Sequence, residues 1–141
     1  MNIEHSLKVV DAAIAEFNER DWIRFGEVHA ENVILTAPSL PNPAVGREAV
    51  KTWAQGLATA FPDLVWKPIS TIAQDNHVSV EIIATGTHDG PLQAPNGQTV
   101  PATHKPIEME IGAIFTVEGD EASEVHLYND LFSLLVQLGV V

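Results

Sequence analysis

Cysteine is absent from the 141-residue chain, which removes disulfides, thiol nucleophiles and thiolate metal ligands together. Stability therefore has to come from packing. Basic residues are few: 7 Lys and Arg stand against 19 Asp and Glu, a formal charge of −12, and the seven form no stripe along the chain. Such a chain repels a phosphate backbone, so nucleic acid is not an expected partner. The acidic residues are dispersed, as on a solvated surface. No apolar run approaches the roughly 20 residues that cross a bilayer, and the first residues lack a basic segment followed by an apolar one. Neither membrane association nor a secretion signal is expected, and the expected location is cytoplasmic. Among the six histidines there is no HxH or HExxH pattern, and the chain has no GxSxG elbow or phosphate-cradling loop. No metal and no other cofactor is expected, and nucleophilic hydrolysis and nucleotide binding find no support.

What is present is a chain of one-domain size, 1–141, with 45% hydrophobic residues, enough to bury roughly two-thirds of its unfolded surface. No internal repeat or linker divides it. Ile3, Leu7, Val10, Ile14 and Phe17 recur at steps of four and three, the stripe of an amphipathic helix. Asp21 is placed to cap a short second helix through Trp22, Phe25 and Val28. The β-branched run Asn32–Ala37 reads as a strand stopped by Pro38, Pro41 and Pro43. Arg47 to Phe61 reads as a third helix, with Val50, Trp53, Leu57 and Phe61 on one face and Pro62 beyond it.

Leu64 to Ala73 and His77 to His88 read as a hairpin turned at Gln74-Asp75-Asn76. Between His88 and Ile107 glycines and prolines recur too often for a regular element, and so long a connection in a compact domain suits a cavity rim or lid. Ile107 to Val117 alternates again, and Gly119-Asp120 turns the chain into a strand running from Glu124 to Asp130. Leu131, Leu134, Leu135 and Leu138 then trace a last helix closed by Gly139. Helix, helix, strand, helix, four strands and a helix favour an α+β class, a curved antiparallel sheet with helices packed on one side.

Strand alternation assigns the candidate site. His126, Tyr128 and Asp130 share one strand phase, which groups three proton-handling side chains. Asp130, at a strand-to-helix junction, is the first candidate for chemistry and equally suited to cap the helix that follows. His88 and Phe115 fall on the apolar phases of their strands, where His88 is either a hydrogen-bonded core residue or a functional one. Trp53 is a core residue or a ligand contact. His104 stands in the long connection, at the opening or in solvent.

Taken in order, Asn18-Glu-Arg-Asp-Trp22, His29-Ala-Glu-Asn-Val33, Gly46-Arg-Glu-Ala-Val50, Phe61-Pro-Asp-Leu64, Gly86-Thr-His-Asp-Gly-Pro91 and His126 through Asp130 with Gln137-Leu-Gly139 resemble the SnoaL-like polyketide cyclases of the NTF2-like superfamily. The resemblance implies a cone-shaped α+β barrel around a mostly apolar pocket. It implies a cofactor-free intramolecular aldol condensation of a hydrophobic carbonyl substrate, with Asp130 as general acid/base; by their own places in the chain, His88 is expected to assist it, and His126, Tyr128, Trp53, Phe115 and His104 to contact the substrate. Relatives in that superfamily also include isomerases, hydroxylase-like proteins and non-catalytic binding domains. Ala94-Pro-Asn-Gly-Gln98 departs from the family's Pro-Thr-Gly element, and Gly112-Ala113 offers no polar side chain to an oxyanion. A homodimer or dimer of dimers is expected through the second face of the sheet, because Ile83, Ile114, Val125 and Leu127 fall on the phases opposite to Ile82, Phe115 and Asp130.

Overall fold

The computed structural model describes residues 2–141. Helix α1, Ile3–Glu19, is opened by Asn2, whose side chain accepts the Glu4 N–H at 2.8 Å, and is closed by Arg20 in the left-handed region. Helix α2, Trp22–Glu27, is capped by Asp21 through the Arg24 N–H at 3.2 Å, as its sequence predicts. Strand β1, His29–Thr36, begins three residues earlier than the β-branched run suggests. After the short β2, Ala44–Val45, comes α3, Arg47–Ala60. The remaining elements are β3, Val65–Gln74; β4, His77–Thr87; β5, Leu92–Gln93; β6, Thr99–Val100; β7, Pro106–Glu118; β8, Glu121–Asn129; and α4, Leu131–Leu138.

Six strands form one sheet in the order β2-β1-β8-β7-β4-β3, and β5 pairs with β6 alone. The α+β class is as expected, but the sheet is not wholly antiparallel. β1 runs parallel to β8, with Leu35 opposite Val125. The helices cover one face, where Val33, Leu35, Val78, Val80, Ile82, Ala113, Phe115, Val125 and Leu127 meet α1 and α3 in a single core. No helix among the described residues is long and apolar enough to cross a membrane.

The connection before β7 is more regular than its composition suggests. β5 and β6 form a small hairpin turned at Asn96-Gly97, where Gly97 takes φ 85° and the Ala94 N–H donates to Gln98 O at 2.8 Å. Its base is pinned to the end of α3, since both the Asp89 and the Gly90 N–H donate to Ala60 O at 3.1 Å. Gly90 allows this approach: a Cβ there would lie 2.0 Å from Thr59 O.

The phase of β8 differs from the sequence reading, with consequences for the site. A register shift against β7 between Thr116 and Val117 brackets Ser123, so that Ala122 and then Val125, Leu127 and Asn129 face the helices. One extra residue in a strand moves every later side chain to the other face. His126 and Tyr128 consequently lie on the open face of the sheet, and Val125 and Leu127 are core residues.

Candidate functional site

Between the helices and the covered face of the sheet runs an apolar cavity in two compartments that share Trp53, Trp66 and Leu127. The outer one, of about 50 Å³, lies among α3, α4, the ends of β7 and β8 and the β5–β6 hairpin. The inner one, of about 30 Å³, lies deeper, against Ala13, Ile14 and Phe17 of α1 and Phe115 of β7. Pockets that hold drug-sized ligands occupy about 300 Å³ or more. The hairpin supplies Leu92 to Pro95 and Val100 to the outer wall.

The two tryptophans are set by the sequence around them. Trp66 enters the edge strand β3, where its peptide would lack a partner toward α1. Asn18 supplies one: its Oδ1 accepts the Trp66 N–H and its Nδ2 donates to Trp66 O, both at 2.9 Å. Arg20 adds donation to Leu64 O at 2.9 Å and Pro62 O at 3.0 Å, fixing the chain just before β3. Phe17 packs on Trp66 with centroids 5.2 Å apart, and Trp53 stands edge-on to Trp66 at 6.4 Å. Such pairs contribute about 0.5–1.5 kcal/mol each beyond the area they bury.

Trp66 is 7% exposed, and among the described residues neither its indole N–H nor that of Trp53 has a hydrogen-bond partner. A buried donor left unmade costs about 1–3 kcal/mol.

Of the site residues read from the sequence, Trp53 and Phe115 come together at the cavity. His88 stands behind its wall, fully buried and 5.4 Å from the Phe61 ring. Its Nδ1 accepts the Thr103 N–H at 3.1 Å, so the neutral ring carries its hydrogen on Nε2, which makes no hydrogen bond of good geometry among the described residues. Burial pushes its pKa down, partly opposed by Asp89. His126 lies on the open face, 2.7 Å from Thr36 Oγ1, and Tyr128 is 59% exposed beside it. His104 is exposed and pairs with Asp89 at 2.9 Å. Asp130 is exposed as the N-cap of α4, accepting the Ser133 N–H at 2.9 Å, in an open groove with Glu108, Glu110 and Gln137. The grouping of Asp130 with His126 and Tyr128 on a pocket-facing side thus does not form, because the apolar phase of Val125 and Leu127 faces the helices and Asp130 lies past the end of β8 as a helix cap. The neighbours of Asp130, Asn129 and Leu131, line the outer compartment.

The sequence reading passed over His29, Trp66 and Asn129. Starting the first strand at His29 would have placed that residue in the sheet, and the alternation about Trp66 was there to be read. Asn129 shares the strand phase of the apolar Val125 and Leu127, which is the signal that points it toward the helices. His29 is 2% exposed and borders the inner compartment. Burial, the largest effect, and Arg47 lower its pKa, against a hydrogen bond to Phe25 O that raises it. Among the described residues no group of three or more His, Cys, Asp or Glu is gathered as a metal site.

The family model for SnoaL-like polyketide cyclases matches residues 8–138. No curated protein sequence matches the chain. Among solved structures, a candidate SnoaL-like polyketide cyclase from Jannaschia sp. CCS1 superposes with a TM-score of 0.84 at 19% identity, over 100% of this chain and 96% of that one. AclR, a candidate hydroxylase from Streptomyces galilaeus, gives 0.82 at 19% identity, over 99% and 88%. A hypothetical protein of ketosteroid isomerase-like fold from Catenulispora acidiphila DSM 44928 gives 0.78 at 17% identity, over 94% and 93%. At these identities the likeness carries the fold, an NTF2-like cone. With the family match over almost its whole length, the chain belongs to the SnoaL-like polyketide cyclase family.

Proposed function

We propose that the protein is an enzyme that binds a hydrophobic carbonyl compound in the two-compartment cavity and cyclises it by acid–base chemistry without a cofactor. The observation that carries this reading is the pair of buried indole N–H groups, Trp53 and Trp66, which find no partner among the described residues and belong to a mostly apolar wall. In an aldol closure, a proton leaves the carbon next to a carbonyl and the electron pair moves onto the oxygen. The enolate carbon then bonds to a second carbonyl, whose oxygen takes up a proton. Donors held ready where the negative oxygen develops stabilise that step, and a dry wall strengthens them. Asp130 is the carboxylate this reading assigns to the mouth of the cavity, at the cost of giving up its bond to the Ser133 N–H.

Trp53 and Trp66 also serve as fluorescent reporters. Aromatic ketones and polyketide esters should change their emission. Trp66→Phe should weaken binding of a ketone by about 2- to 10-fold, the worth of one neutral hydrogen bond, and leave its hydrocarbon analogue unaffected. Equal losses for both ligands would remove the carbonyl-recognition role. A second reading, a ligand-binding domain without catalysis, is favoured by the absence of any carboxylate from the cavity wall among the described residues. Binding of carbonyl ligands with no conversion of any of them would select it.

A further inference from the structure

Among the described residues, the cavity wall holds one titratable side chain, His29, and the reading above leaves it unused. His29 opens β1 opposite Ala122 of β8, and its ring sits under that of Phe25 with centroids 4.6 Å apart. Its Nδ1 lies 2.7 Å from Phe25 O. A carbonyl oxygen only accepts, so Nδ1 carries the hydrogen, and the neutral ring keeps a lone pair on Nε2. That nitrogen makes no hydrogen bond among the described residues. The same compartment is bordered by Trp53 and Trp66 with their unpartnered indole N–H groups. A histidine held in one tautomer and two tryptophans with buried, unpartnered N–H groups therefore border one mostly apolar space.

The charged groups about His29 are few. Arg47 reaches in from α3 and donates through Nε to His29 O at 2.9 Å, while its NH2 group pairs with Glu121 of β8 at 2.9 Å. α1 contributes only Ala13, Ile14 and Phe17 to this compartment, and α2 contributes Phe25. No carboxylate faces the ring from these elements, so nothing there favours the imidazolium by charge, and Arg47 disfavours it. The base form is the resting form at neutral pH.

We infer that His29 is a catalytic general base of this cavity: its Nε2 removes the proton from the carbon next to a ligand carbonyl whose oxygen is held by the Trp53 and Trp66 N–H groups. The C–H bond breaks, its electron pair moves onto the oxygen to give an enolate, and the proton becomes the Nε2–H of an imidazolium. The imidazolium returns that proton to carbon in simple exchange, or to the new alkoxide when the enolate closes onto a second carbonyl. No oxidant or reductant enters the balance. The inference rests on the catalytic reading of this cavity and adds the group that starts the reaction.

The test uses 2-tetralone, a bicyclic ketone with acidic hydrogens beside its carbonyl, in D2O. NMR follows deuterium uptake at those carbons, and tryptophan fluorescence follows binding. The wild type should exchange the ketone faster than buffer does, with a rate that falls on acidification along a one-proton limb lying below the ordinary imidazole range. His29→Asn preserves a donor to Phe25 O but removes the base. It should bind the ketone within about 3-fold of wild type and lose exchange by about 100-fold or more, the typical worth of a positioned general base. Exchange at the wild-type rate in His29→Asn, with loss in Asp130→Asn, would overturn the assignment to His29 and leave the catalytic cavity standing. Binding without exchange by the wild type would overturn both. If His29→Asn does not fold, 15N spectra of the wild-type imidazoles decide. Nε2 of His29 must be unprotonated at pH 7 and shift when 2-tetralone is added, and a ring protonated at Nε2 or indifferent to the ketone overturns the proposal.

Discussion

His88 Nδ1 accepts the backbone N–H of Thr103 at 3.1 Å, and by that bond a fully buried histidine holds the foot of the loop whose tip walls the cavity. The loop is tied to the same residue by two backbone bonds as well, the His88 N–H to Lys105 O at 2.9 Å and the His104 N–H to His88 O at 2.8 Å, and by Thr103 Oγ1, 2.9 Å from His88 Nδ1. The hairpin beyond them is thus mounted on a rigid base.

A pH dependence of stability follows. Burial lowers the pKa of His88 below its ordinary value, and His29 is shifted the same way. A base with a lowered folded-state pKa binds its proton more readily in the unfolded chain. Its contribution is therefore complete above the unfolded pKa and is lost as pH falls below about 6.5. Thermal unfolding at pH 5.5 should give a lower Tm than at pH 7.5. His88→Asn, whose Oδ1 can still accept the Thr103 N–H, should flatten that dependence. His88→Leu leaves the Thr103 N–H unmade and should cost about 1–3 kcal/mol at both pH values. A dependence as steep in His88→Asn as in the wild type would assign it to other groups.

Asp130 has two separable roles, and two substitutions divide them. Asn caps helices as well as Asp does, so Asp130→Asn should keep the bond to the Ser133 N–H and leave Tm within about 2 °C. Asp130→Ala removes the cap of α4 and should cost about 1 kcal/mol. If Asp130 also handles a proton in turnover, both variants lose activity by a similar factor although only one is destabilised. Activity that tracks stability across the pair would reduce Asp130 to its cap.

Shortening Leu92–Val100 to a tight turn should spare the fold, since the β5–β6 pair stands apart from the six-stranded sheet. It should open the outer compartment, where Leu92, Pro95 and Val100 form wall. Quenching of tryptophan fluorescence by acrylamide should rise, and hydrophobic ligands should dissociate faster. Unchanged quenching with unchanged ligand kinetics would remove the gating role, and a chain that does not fold would make the hairpin structural.

Pairing of two copies through the open face of the sheet is proposed from what that face exposes. Ile114 and Tyr128 border a shallow apolar groove with Ile72, which is 71% exposed, and Ile69 lies nearby on β3. Contiguous apolar surface of this kind marks interfaces. Light scattering at micromolar concentration should give twice the 15.3 kDa of one chain. Ile114→Lys should halve the mass without altering Trp66 emission. A monomeric wild type would refute the pairing.

The sequence alone determined the longer elements, because spacing carries them, but not the short strands β2, β5 and β6. The stripe through Val10, Ile14 and Phe17, the cap at Asp21, the stop at Gly139 and the alternation of β4 and β7 are local properties of a chain that has to bury one side of each element. It also determined that Trp53 and Phe115 face inward. Tertiary structure decided the rest. Which side of β8 faces the cavity is settled by the packing of Val125 and Leu127 against the helices, and Asp130 lies past the end of β8 as a helix cap, which leaves Asn129 at the wall. The meeting of His29 from β1, Trp53 from α3 and Trp66 from β3 depends on the parallel pairing of β1 with β8, which joins residues about ninety positions apart. The tautomer that leaves His29 Nε2 free is set by the carbonyl of Phe25 one helical turn away, and whether that nitrogen faces a cavity or solid core is decided by side chains far off in the sequence.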